Sequence, residues 1–218
     1  MASISKERGW DQMVKVKICG ITNLEDAMAA AEAGADAVGF VFYPESPRFI
    51  EPGNARNIIA KLPVFITTVG IVVDEGEDMI RRILRESGVQ VLQFHGSESP
   101  LLCTRFREKI IKAIRIKDAE SINSMKMYPV DTFLLDTHHE KIKGGTGKTF
   151  DWKLAEQAKV YGHIILSGGL TPSNVGEAIK KVKPYGVDVS SGVEMSLRKK
   201  DPAKIRNFIK EVRSHHVA

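Results

Sequence analysis

Between Val14 and Thr22 the chain reads VKVKICGIT, with apolar Val14, Val16 and Ile18 alternating with Lys15 and Lys17. That is the two-residue period of a β-strand, broken by Cys19-Gly20 just before a helical pattern begins. Leu24, Ala27, Met28 and Ala31 follow at helical intervals, and Thr22 with Glu25 has the spacing of a capping box, so the predicted helix opens close to Cys19. The same grammar recurs. Gly34 ends the helix before ADAVGFVF, Ser87-Gly88 precedes VQVLQF, and Tyr185-Gly186 precedes VDVS.

Strands are predicted to begin near Val14, Asp36, Val64, Val89, Ile110, Thr132, His163 and Val187, with amphipathic helices between most of them. Strand–helix alternation at this spacing implies a parallel sheet, and eight such units fit a single closed (β/α)8 TIM barrel better than an open doubly wound sheet. Thr171-Pro172 and Asp201-Pro202 each read as an N-cap followed by proline at the first helical position. Ile205, Phe208, Ile209 and Val212 form the apolar stripe of the last helix. Residues 1–11 are a polar, unpatterned extension, and 12–218 are read as one barrel domain without an internal linker.

Composition then removes several classes of function. The charge of +5 and the pI near 9.1 allow an anionic partner, but the basic residues are dispersed and neighbour acids, as in Arg81-Arg82 beside Asp78 and Glu86. With only 7% aromatics as well, no nucleic-acid face is expected. Two cysteines, Cys19 and Cys103, give no disulfide framework, and no long apolar run calls for a membrane, so a cytoplasmic protein is expected. The pattern leaves monomer and homodimer equally open.

In a barrel of this type chemistry collects where strands end. Those ends carry Cys19, Arg48, Gln93 with His95, Asp136, the run Ser167-Gly168-Gly169, and Ser190-Ser191-Gly192. Small residues after strands seven and eight let backbone N–H groups approach a phosphate, and a short helix around Val193 would aim its positive end at the anion. Cys19 and Asp136 come from opposite sides of the barrel and would face each other across its mouth. Helix amides and any nearby cation are expected to favour the Cys19 thiolate.

Other motifs carry less. GGTGKT at 144–149 fails as a P-loop, because Ile142 stands where that motif needs glycine, and it reads instead as a mobile glycine-rich loop. His138, His139 and Glu140 lack the spacing of a metal site, and Cys103 in LLCTRF is a packing residue.

Taken together, KICGIT, GADAVGFVFYPESPR, QFHG, LLDT, GGTGKTFDW, LSGGL and VDVSSGVE resemble, in order and over nearly the whole chain, the phosphoribosylanthranilate isomerase family of tryptophan biosynthesis. The sequence departs from it in VGIVVDE, where the family more often has VGVFVN, in HHEKIK after Asp136, and in its longer leader. The resemblance implies a phosphorylated small-molecule substrate and an Amadori rearrangement without metal or organic cofactor. It makes Asp136 the general acid and Cys19 the general base. Arg48 would bind the anthranilate carboxylate, Gln93 and His95 would contact substrate, and Gly168, Gly169, Ser190, Ser191 and Gly192 would hold the phosphate. A related isomerase of histidine biosynthesis, which uses two aspartates on the same scaffold, fits less well because of Cys19.

Overall fold

A computed structural model describes residues 12–136 and 152–217. Eight parallel strands close into a barrel in sequential order: β1 (Lys15–Cys19), β2 (Ala37–Val41), β3 (Thr67–Val72), β4 (Val91–Phe94), β5 (Lys109–Arg115), β6 (Thr132–Asp136), β7 (His163–Ser167) and β8 (Gly186–Val189). The helices between and after them are α1 (Leu24–Glu32), α2 (Pro52–Ile59), α3 (Glu77–Ser87), α4 (Pro100–Cys103), α5 (Ala119–Asn123), α6 (Trp152–Ala158), α7 (Val175–Val182) and α8 (Pro202–Arg213). The fourth and fifth are little more than a single turn.

Successive strand residues point to opposite faces, so each strand feeds two separate layers. Val16 and Ile18 of β1, Phe40 of β2, Phe94 of β4 and Phe133 of β6 belong to the large apolar layer under the helices, which Phe208 of α8 completes. The other face turns to the barrel axis, where Cys19, Val69, Ile71, Ile111, Ala113, Leu134 and Ile165 form a smaller cluster. Many charged positions lie on the outer helix faces. Arg81 pairs with Glu77, Arg82 with Glu86 and Lys181 with Glu177, each one helical turn apart. Such exposed pairs add little stability, and each sets a basic side chain beside an acid. Among the described residues no helix is long and apolar enough to cross a membrane.

Three local expectations are corrected. The third strand begins at Thr67, not Val64, since Val64 and Phe65 are 81% and 93% exposed in the connection before it. An apolar run alone does not distinguish a strand from an exposed apolar loop. The cap of α1 is Asn23, whose side chain accepts from Asp26 N, while the Thr22 hydroxyl donates to Arg198 O. The helix α7 starts at Val175, with Thr171-Pro172 in a preceding turn where Asn174 Oδ1 accepts from Thr171 N. Asp201 does cap α8 as read, accepting from Ala203 N and Lys204 N.

Two small antiparallel pairings lie outside the pattern read from the sequence. Gln12–Met13 pairs with His216–Val217, and Glu194–Ser196 pairs with Lys199–Lys200 in a hairpin beyond β8. The hairpin proves important to the site.

The two threonine- or aspartate-proline pairs, one a cap and one not, give a direct test. Asp201→Ala is expected to lower unfolding stability by about 1 kcal/mol, the usual cost of an N-cap, and Thr171→Ala by clearly less, since its hydroxyl meets Ser173 rather than a helix amide. Urea unfolding checks this, and equal losses would contradict the assignment.

Candidate active site

A cavity of about 630 Å³ opens at the C-terminal ends of the strands. It is lined by Cys19, Arg48, Gln93, His95, Asp136, Gly168, Gly169, Ser190, Ser191 and Gly192, so every residue selected from the sequence reaches one mouth. Tyr43, Asp74, Arg115, Ser167 and Asp188 line it as well. A second cavity, of about 480 Å³, lies at the opposite end among Lys15, Phe65, His163 and Tyr185. In barrels of this class the N-terminal end serves stability and the C-terminal end chemistry, which favours the first.

One wall belongs to the ends of β4 and β6. The Gln93 amide and His95 Nδ1 are 2.8 Å apart, and His95 Nε2 stands 3.5 Å from Asp136 Oδ2. With the amide donating, Nδ1 accepts and the ring proton sits on Nε2, toward the carboxylate. Behind this wall lies a buried knot missed in the sequence. Lys112 Nζ pairs with Glu98 at 2.7 Å and donates to Gly96 O, and Glu98 accepts from the amides of Asp74 and Gly96. The knot ties the loop that presents His95 to the loop after β3 at Asp74 and so fixes its course.

The facing wall is the end of β1. Cys19 is buried at the cavity edge. Burial pushes its thiol above the ordinary value; nearby Lys17 and Lys200 pull it back and Asp188 opposes them. Nearby cations do favour the thiolate as expected, but loss of water outweighs them and the net direction is upward. Lys17 and Asp188 form an ion pair of 2.7 Å inside the barrel, both nearly inaccessible.

The loops after β7 and β8 make the third side. Gly168 and Gly169 have φ of 89° and 68°, a conformation side chains resist. Asn174 pins this turn by donating to Gly169 O. After β8 a short 3-10 turn spans Ser191–Val193. A Cβ at Gly192 would stand 1.9 Å from Leu170 O, so the two loops touch there and admit no side chain.

Arg48, from the loop after β2, is gripped through Nε and Nη2 by Glu194, at 2.7 Å for each bond. Lys200, wholly buried, contacts Glu194 and Ser190 O, both at 3.1 Å. The hairpin beyond β8 thus joins the Arg48 side of the mouth to the glycine loops, and Gly20 leaves room for it: a Cβ there would stand 2.5 Å from Arg48 Cδ and 2.9 Å from Ser190 Oγ. His138, His139, Glu140 and the glycine-rich segment 144–149 lie outside the described residues. Among the described residues no group of three His, Cys, Asp or Glu side chains could hold a metal ion.

Fold and site together define a (β/α)8-barrel enzyme with its chemistry at the C-terminal mouth. Residues 16–211 match the family described as N-(5'-phosphoribosyl)anthranilate (PRA) isomerase. A relative of that name from Geotalea uraniireducens is 53% identical over 201 residues, which is 92% of this chain and 99% of the relative. The crystal structure of phosphoribosyl anthranilate isomerase from Thermotoga maritima superposes with a TM-score of 0.86 at 44% identity, covering 93% of this chain and all of the other. A structure of such an isomerase in complex with reduced 1-(o-carboxyphenylamino)-1-deoxyribulose 5-phosphate gives 0.83 at 42%, with the same coverage. The chain belongs to the N-(5'-phosphoribosyl)anthranilate isomerase family and is an isomerase.

The grip on Arg48 has a pH signature. Burial alone would raise the Glu194 carboxyl, but Arg48 and Lys200 outweigh it and hold the carboxyl below its ordinary value. Its contribution to stability is then present above the unfolded-state pKa of about 4.3 and is lost as pH falls through the lower folded value. Glu194→Gln is expected to destabilise the protein at pH 7, with the gap to wild type closing as unfolding is measured toward pH 3. A gap that widens on acidification would contradict the assignment.

Proposed function

We propose that the chain converts N-(5'-phosphoribosyl)anthranilate to 1-(2-carboxyphenylamino)-1-deoxyribulose 5-phosphate, with Asp136 as general acid and Cys19 as general base. The observation that carries this reading is the meeting of Cys19 and Asp136 on one cavity whose third side is the pair of glycine-bearing loops. Asp136 gives a proton to the furanose ring oxygen, the bond from C1 to that oxygen breaks, and the nitrogen lone pair turns C1 into a protonated Schiff base. Cys19 then takes the C2 proton, the electron pair flows to nitrogen, and an enolamine forms. Tautomerisation places a proton on C1 and leaves a ketone at C2. One carbon is reduced as its neighbour is oxidised, so hydrogen and electrons balance within the substrate.

The remaining roles follow the walls. The loops at Gly168, Gly169, Ser190, Ser191 and Gly192 seat the phosphate, where closely approaching backbone amides suit an anion. Lys200 behind Ser190 adds a buried positive charge on that side. Arg48, its plane set by Glu194, takes the anthranilate carboxylate, a match of guanidinium fork to carboxylate. Gln93 and His95 contact the sugar, and His95 also holds the Asp136 carboxyl in place. A base works best with its pKa near the working pH; burial moves the Cys19 thiol away from it, and the Lys17 and Lys200 charges work against that shift.

Fluorescence-monitored turnover of phosphoribosylanthranilate tests the assignment. Cys19→Ser and Asp136→Asn are each expected to lower kcat by about two to four orders of magnitude, the range for losing a general acid or base. Near-native turnover in either folded variant removes that residue from its role.

A further inference from the structure

We propose that Lys17 and Asp188 are positioning residues that set the protonation of the Cys19 sulfur from below, the Lys17 ammonium stabilising the thiolate and the Asp188 carboxylate limiting it. The proposal deepens the reading of Cys19 as the base and rests on it for its catalytic consequence.

The geometry comes from strand register. Lys17 and Cys19 are two residues apart on β1 and therefore share its inward face. On one side β8 places Asp188 opposite Lys17, and the two form the 2.7 Å ion pair, with side-chain exposures of 5% and 7%. Ser167 Oγ from β7 donates to the other Asp188 oxygen at 3.1 Å, fixing the carboxylate. On the other side β2 places Gly39 opposite Cys19. A Cβ at Gly39 would stand 3.0 Å from Cys19 Sγ and 3.1 Å from Lys17 Cε. Sulfur and lysine stem therefore converge on the space that this glycine leaves empty, and the nearby Lys17 charge pulls the thiol down against its burial.

An ion pair acts on a third group as the difference between its two ends. Here Lys17 shares the inward face of β1 with Cys19 and lowers its thiol, while Asp188, across on β8, raises it, so the two ends act on the sulfur with opposite sign. Lys200 from the hairpin and Arg48 from the β2 loop add positive charge facing the sulfur, while Asp136 and His95 face it across the mouth. Buried ion pairs are seldom a net source of stability, because desolvation offsets the attraction. The use of this one is in the charge that it presents to the thiol.

Because only the thiolate is alkylated, the pH dependence of iodoacetamide modification reads Cys19 without turnover. It is measured in the full chain carrying Cys103→Ser, so that Cys19 alone reports. Removing a charge this close is expected to shift the profile by about one unit or more, roughly tenfold in rate at a fixed pH on the acidic limb. Lys17→Met should slow alkylation, and Asp188→Asn should speed it. If Lys17→Met does not fold, the neutral double variant Lys17→Met/Asp188→Asn replaces it and is expected to alkylate more slowly than wild type. Shifts of the same sign in the two single variants, no shift, or an unchanged or faster double variant overturns the proposal. Opposite alkylation shifts with no matching change in the pH profile of kcat keep the proposal and remove Cys19 as the catalytic base.

Discussion

Closure of a parallel sheet is the constraint from which the site follows. Eight strands running the same way and hydrogen-bonded in a ring put all eight C-terminal ends at one mouth. Residues more than a hundred positions apart, such as Cys19 and Asp136, thereby share one cavity. The ring is held from outside by the apolar layer under the helices and from inside by a much smaller cluster. That inner cluster reaches the mouth at Cys19 and Ile71, and polar side chains are interleaved with it inside the barrel.

The polar interior is an exchange of stability for chemistry. Lys17, Asp188 and Gln93 are buried where apolar side chains would pack at lower cost, and each charge is tolerated only because it is paired. A similar arrangement holds the rim. Glu194 would be costly to bury alone, yet with Arg48 and Lys200 it becomes a strut between two sides of the mouth. Burial therefore works on the site in two senses, raising the Cys19 thiol through lost water and strengthening the charges set around it.

Much of this was legible in the sequence, for physical reasons. Period-two runs such as VKVKIC mark strands and long apolar runs such as ADAVGFVF mark strands buried on both faces, while glycines at 168 and 169 mark positive φ and Gly192 a close approach of two loops. The barrel, and the arrival of all ten selected residues at one cavity, follow from those signals and from motif order. Local capping was less legible, because Thr22 and Asn23 are both competent caps and only the backbone path decides between them. The charge network was not read at all. Lys17 passed as the polar half of a strand alternation, although in a parallel barrel a charged residue between apolar strand positions has no water to face, and Asp188 in VDVS carried the same signal. Glu194 and Lys200 were invisible for another reason: their meeting depends on a hairpin with no period of its own.

The most direct test is a crystal structure of this chain with the reduced product analogue bound. The account predicts the phosphate against the backbone of the Gly168–Gly169 and Ser190–Gly192 loops, the benzoate carboxylate on Arg48, and the sugar carbons between the Cys19 sulfur and the Asp136 carboxyl. A phosphate seated away from those loops, or a sugar touching only one of the two side chains, would contradict it.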